Sequence, residues 1–164
     1  MRLFILINFF SLTSISFSGT VAAHTSEHQN AKDELIRILE RNVRYPTELS
    51  EKKIASAFSM KIIFNSQGGI LKILPSKYFP EKMVAQLTKA DLYSKINWEE
   101  IFKRKLKEGD ALIIPIVAYN SMEKNSTFYE YTLEDLFNYP EDNKFFVDCT
   151  IMQTFTLVYR AAVK

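Results

Sequence analysis

One cysteine, Cys149, stands among 164 residues, so no disulfide can close within the chain and its stability has to come from packing. Cys149 alternates with apolar neighbours, which reads as a small buried hydrophobe rather than a reactive thiol. Only four glycines occur, and none falls in a phosphate-cradling motif. The two histidines, His24 and His28, share one short polar stretch, which argues against a catalytic triad built on a positioned histidine. Neither sign of charge is in excess, with 21 basic against 19 acidic side chains, and that balance gives nucleic acid no support as a partner. Repeats and low-complexity segments are absent as well.

The N-terminus has the makings of an export leader. Arg2 supplies one positive charge, Leu3 to Phe10 is apolar apart from Asn8, and Val21-Ala22-Ala23 offers the small residues that a signal peptidase needs. Residues 1–23 are therefore expected to be a cleaved signal peptide. Ser11, Thr13, Ser14, Ser16, Ser18 and Thr20 interrupt the stretch, whereas a spanning helix needs about 20 predominantly apolar residues. No transmembrane segment is expected after cleavage, and the location is expected to be periplasmic or secreted. Residues 24–32 read as a flexible tail and 33–164 as a single domain, large enough to bury a core.

Periodicity then divides the domain. Leu35, Ile36, Leu39 and Val43 fall on one side of a helix and Glu34, Arg37, Glu40 and Arg41 on the other. Pro46 biases Tyr45 away from helical angles and ends that helix, with a loop expected over 47–53. Phe58, Met60, Ile62 and Phe64 alternate with Ser59, Lys61 and Asn65, the pattern of a strand with one buried face. Gly68-Gly69 turns the chain into a second strand over Ile70 to Leu74, stopped by Pro75. Met83, Val84, Leu87 and Ala90 suit another helix. Trp98, Ile101, Phe102 and Leu106 suit a further one, whose outer face would carry Lys103, Arg104, Lys105 and Lys107. Gly109-Asp110 leads into an apolar strand from Leu112 to Tyr119, and Pro115 within it predicts an edge position or a bulge. Residues 120–144 read as an insertion with a short helix. From Phe145 onward apolar residues hold odd positions, broken only at Gln153, where a bend or bulge is expected because one straight strand of that length would span roughly 60 Å.

The order of these features resembles the C-terminal domain of the TonB energy transducer over residues 33–119. Tyr45-Pro46 is similar to that family's signature after its first helix, Ile62-Ile63-Phe64 with Gly69-Ile70 to its first hairpin, and Pro75-Ser76 to the exit from its second strand. Trp98 resembles the aromatic after its main helix, and Gly109 with Pro115-Ile116 its last strand. The chain departs from the pattern at Ile54-Ala55-Ser56-Ala57, where the family carries a glycine, and in the tail beyond Asn120. An energy transducer also needs a retained membrane helix and a long Pro-rich spacer, and neither is expected here. The resemblance implies an α+β fold, a mostly antiparallel sheet of three to four strands packed by two to three helices. It also implies a non-enzymatic domain in a Gram-negative envelope that accepts a strand from another envelope protein at its sheet edge.

Alternative chemistry is thin. His24 and His28, with a freed amino group at His24, are weak candidates for a copper or zinc grip and define the alternative of a periplasmic metal protein or enzyme. Glu99-Glu100, Glu134-Asp135 and Glu141-Asp142 are adjacent carboxylates, but neighbours on a helix point apart, so solvated charge is expected rather than a hydrolytic pair. Asn125-Ser126-Thr127 fits a glycosylation sequon that matters only in a eukaryotic secretory route. A helix-on-sheet inhibitor or ligand carrier is a further alternative. No catalytic residue, cofactor site or metal site is assigned. The expected core comprises Ile36, Leu39, Phe58, Ile62, Phe64, Leu87, Trp98, Phe102, Ile114, Ile116, Ile151, Phe155 and Leu157.

Overall fold

A computed structural model describes residues 30–51, 55–122, 135–140, 142 and 149–160. The expected leader and cleavage site, His24, His28, the sequon and most of the 120–144 segment lie outside these residues. The fold is α+β: helices lie on one face of an open, mixed, five-stranded sheet.

Helix α1 (Ala31–Asn42) begins where the Asn30 side chain accepts the Lys32 amide at 3.0 Å. Its first amide, that of Ala31, donates to Glu100 Oε1 at 3.2 Å, so a carboxylate from a distant helix completes the cap. The buried face is Ala31, Leu35, Ile38 and Leu39. Ile36, expected inside, is 38% exposed: each residue advances about 100° around a helix, which carries position 36 past the seam that Ile38 fills instead. The Pro46 carbonyl accepts the amides of Leu49 and Ser50, so the expected loop forms a short helix, α2 (Thr47–Glu51).

Strands β1 (Ser56–Phe64) and β2 (Ile70–Pro75) form the expected hairpin. Asn65 Oδ1 accepts the amides of Gln67 and Gly69, and Gly68 takes a positive φ of 78° that suits glycine. After α3 (Glu81–Leu87) and a single turn at Ala90–Tyr93 comes α4 (Trp98–Phe102). The last helix is shorter than expected because Lys103 adopts a left-handed φ of 55° and ends it. The basic run therefore winds through a loop instead of lining a helix. Arg104 forks onto Asp110 with bonds of 2.6 and 2.8 Å, and the Lys107 amide adds a third at 2.7 Å. The Arg104 guanidinium beside it holds the Asp110 carboxyl below the usual carboxylate range.

Strand β3 (Ala111–Asn120) pairs antiparallel with β1 along Ser56 to Ile63. It is an interior strand, so the edge position that Pro115 predicts is not where this proline sits. On its far side β3 pairs in parallel with β4 (Cys149–Ile151) through Ala111 to Ile113 and with β5 (Phe155–Tyr159) through Ile116 to Asn120. The two ladders stop on either side of Ile114 and Pro115, so the missing N–H of the proline costs no ladder bond. The break at Met152-Gln153-Thr154 is the bend expected near Gln153, and it makes two strands where one stretch was expected.

Phe58, Met60, Ile62, Phe64, Leu112, Ile114 and Ile116 fill the helix-covered face. Phe64 meets Trp98 and Phe102 edge-on, at centroid distances of 5.0 and 5.5 Å. Tyr93 is fully buried, its hydroxyl donating to the Leu87 carbonyl at 2.8 Å, and burial raises its pKa. Phe102, Phe155 and Leu157 are partly buried against this core, while Ile151, expected inside, is 57% exposed on the outer strand.

A left-handed residue other than glycine carries strain of about 1–2 kcal/mol, partly offset by the greater chain entropy that glycine would lose on folding. Lys103→Gly is therefore expected to stabilise the protein by up to about 1 kcal/mol in urea unfolding.

Candidate functional site

The described sheet ends in two edges that differ in chemistry. At β2 the register shifts between Ile63 and Phe64, so Leu71 has no partner across the ladder and stands 59% exposed. Lys72 is exposed beside it and Pro75 closes the strand. A bulge, a lysine and a proline are the devices by which sheet edges resist added strands.

The other edge carries none of these. Residues 149–159 contain no charged side chain and no proline. The Ser121 amide donates to the Tyr159 carbonyl at 2.9 Å, which fixes the backbone groups of Tyr159 toward β3. Alternation along a strand then turns Phe155 and Leu157 the same way and sends the N–H and C=O of Thr156 and Val158 outward. Among the described residues β5 pairs only with β3. Val158 is 51% exposed on the same edge. Tyr45 anchors this strand to the helical layer: its ring stacks on Tyr159 with centroids 4.5 Å apart, and its hydroxyl lies 2.7 Å from Ser56 Oγ on β1. The Tyr45-Pro46 pair thus lies in the turn between α1 and α2, and the Tyr45 side chain touches both β1 and β5.

A groove of about 840 Å³ lies between α2, the start of β1 and residues 77–82. Leu49, Ala57, Phe79 and Pro80 line it, and an exposed ion pair between Glu48 and Lys82 crosses its rim. That ammonium lowers the Glu48 pKa.

Residues 135–140 and 142 lie on the second face of the sheet, against β1. Ser59 and Lys61, assigned to solvent by the strand alternation, are buried there. The Ser59 hydroxyl donates to the Leu136 carbonyl at 2.5 Å, leaving its oxygen to accept from the Tyr139 hydroxyl at 2.6 Å. Burial pushes the Tyr139 phenol up to about 12. Lys61 Nζ meets Asp142 Oδ2 at 2.7 Å and passes 5.6 Å from the Tyr139 ring centre. This cluster has a signal in the sequence that the alternation of β1 alone hides. Ala111, Ile113, Pro115 and Val117 make β3 apolar on its second face too, so that face needs a cover.

Among the described residues the carboxylates of the adjacent pairs do not converge. Glu100 caps α1, Asp135 holds Lys77 and Asn138, and Asp142 is a buried ion-pair partner rather than solvated charge. Among the described residues no group of three or more His, Cys, Asp or Glu is placed to hold a metal. No described helix is long and apolar enough to cross a membrane. Cys149 is half-buried against Leu74, Ile113 and Tyr139.

Ser59→Ala strands the Tyr139 hydroxyl and is expected to cost about 1–3 kcal/mol in urea unfolding. Tyr139→Phe leaves Ser59 bonded to Leu136, so its expected cost is smaller, nearer 1 kcal/mol. Compared with protein-family models, with curated proteins and with solved structures, the chain matches none.

Proposed function

We propose that this chain is an exported, non-enzymatic interaction domain resembling the TonB C-terminal domain, and that it accepts an extended segment of another envelope protein along the outer edge of β5. The observation that carries this reading is the pair of outward backbone groups on Thr156 and Val158, set in a strand free of charge and proline. Strand addition draws its affinity from main-chain hydrogen bonds and its specificity from alternate side chains. Here a partner strand would lie beside Phe155 and Leu157 on the core side and beside Thr156 and Val158 on the other.

The guarded β2 edge supports the choice of β5, because a strand offered to both edges would meet a bulge and a lysine at the first. The end of α1 just before Tyr45-Pro46 supports the family resemblance, although α2 intervenes between that pair and β1. The groove beside α2 favours a second reading, a small-ligand carrier, since its volume falls within the usual range for ligand pockets.

Thr156→Pro removes an outward N–H and spares the ladder to β3. In cross-linked affinity capture from envelope extract, the wild-type chain and Thr156→Ala are expected to retain the partner and Thr156→Pro to lose at least about 90% of it, equivalent to roughly 1.4 kcal/mol. Equal capture by the proline variant would rule out strand addition at β5.

A further inference from the structure

The outward backbone groups of β5 are spaced to fit a strand of their own sequence. Thr156 and Val158, whose N–H and C=O point away from β3, stand on either side of Leu157. When a second β5 runs antiparallel beside the first with Leu157 facing Leu157, Thr156 lies opposite Val158 of the second copy and Val158 opposite its Thr156. Both pairs are of the hydrogen-bonded kind, in which facing residues exchange N–H and C=O, and Leu157 takes the non-bonded position on the two-fold axis. A one-residue slip sets outward groups against inward ones. Centring on Thr156 instead puts Val158 opposite Thr154, and centring on Val158 puts Thr156 opposite Arg160; both of those residues lie outside the strand.

The side chains agree with this register. Phe155 and Leu157 are only partly buried against the helix-covered core. Each Leu157 gains the other as a neighbour and each Phe155 lies across from a Tyr159, cross-strand pairs that favour association. On the second face Thr156 meets Val158, both β-branched, and Val158 is 51% exposed until then. Arg160, the first charge after the strand, falls opposite Thr154, so the two arginines sit at opposite ends of the ladder, roughly 20 Å apart. The bulge, Lys72 and Pro75 at the β2 edge oppose chaining of β5 onto β2, which leaves a closed two-fold pair rather than a filament.

Resting on the reading that the β5 edge accepts a strand, we propose that its resting occupant is the β5 of a second copy of this chain, paired antiparallel about a two-fold axis through Leu157. β5 belongs to the tail in which the chain departs from the TonB pattern, so the self-pairing is argued from this strand alone. An interface built on one short strand from each side is small, hence weak and exchanging, and an arriving partner strand displaces it.

The test is sedimentation equilibrium of the exported chain from about 10 μM to about 1 mM. A concentration-dependent dimer is expected, kept by Thr156→Ala and weakened at least about tenfold by Thr156→Pro, which removes an outward N–H. Facing Cα atoms at a non-hydrogen-bonded pair are about 4.5 Å apart, within disulfide reach, so an oxidised Cys149→Ser/Leu157→Cys variant is expected to link into a dimer. In Cys149→Ser/Thr156→Cys the two positions stand diagonally about 7–8 Å apart, and no efficient link is expected. The linked dimer is expected to capture at most about a tenth of the partner that its reduced form captures. The proposal is overturned if the chain stays monomeric over the whole range, if Thr156→Pro pairs as tightly as Thr156→Ala, or if both cysteine variants link equally. Should the proline variant fail to fold, the two cysteine variants decide. A monomer that still captures a partner overturns self-pairing and leaves strand addition standing, whereas a Leu157-centred dimer that captures nothing upholds self-pairing and counts against an outside partner.

Discussion

A lysine and a serine buried on the polar side of β1 set the terms for half of this molecule. An ammonium and a hydroxyl withdrawn from water need partners of matched chemistry, because an unanswered polar group in the interior costs more than a typical hydrogen bond returns. Those partners are Asp142, Tyr139 and the Leu136 carbonyl, and all of them come from the segment between β3 and β4. The connection must therefore cross the second face of the sheet. A chain that leaves β3, crosses a face and returns beside β3 enters in parallel, as β4 and β5 do. Among the described residues, the outer edge at β5 therefore comes after the segment that satisfies Ser59 and Lys61.

Pro115 imposes a second constraint on the same region. Placed in an interior strand, it leaves one position of β3 unable to donate. The parallel ladders stop on either side of it: the last bond before the gap runs from the Met152 amide to the Ile113 carbonyl at 2.9 Å, and the chain then bends through Gln153 and Thr154. Two features that look like separate irregularities, a proline in an apolar strand and a polar residue interrupting an apolar alternation, are one accommodation seen from both sides.

How much of this is legible in the sequence depends on whether an element's partner is near it in the chain. The hairpin around Gly68 is readable because turn and alternation are both local. Helix α1 is readable in position, but Ile36 and Ile38 exchange places because the rotation of an amphipathic helix about its axis is settled by what it packs against. Ser59 and Lys61 are misread as solvent-facing since their cover arrives from about eighty positions away. The helix expected through Leu106 fails at Lys103 because Arg104 is drawn to Asp110, a tertiary contact that propensity does not contain. Of the candidate interaction edge, the uncharged strand itself is visible in the sequence, and which side of β5 faces outward is not.

The central claim is that β1 depends on the crossover to neutralise what it buries, and a double-mutant cycle on Lys61 and Asp142 by urea unfolding measures that dependence directly. Lys61→Met and Asp142→Leu are each expected to cost about 3–5 kcal/mol, while the double variant lies close to wild type, giving a coupling of several kcal/mol. Two small and additive losses would mean that the ion pair is incidental and that the crossover is held in place by something else.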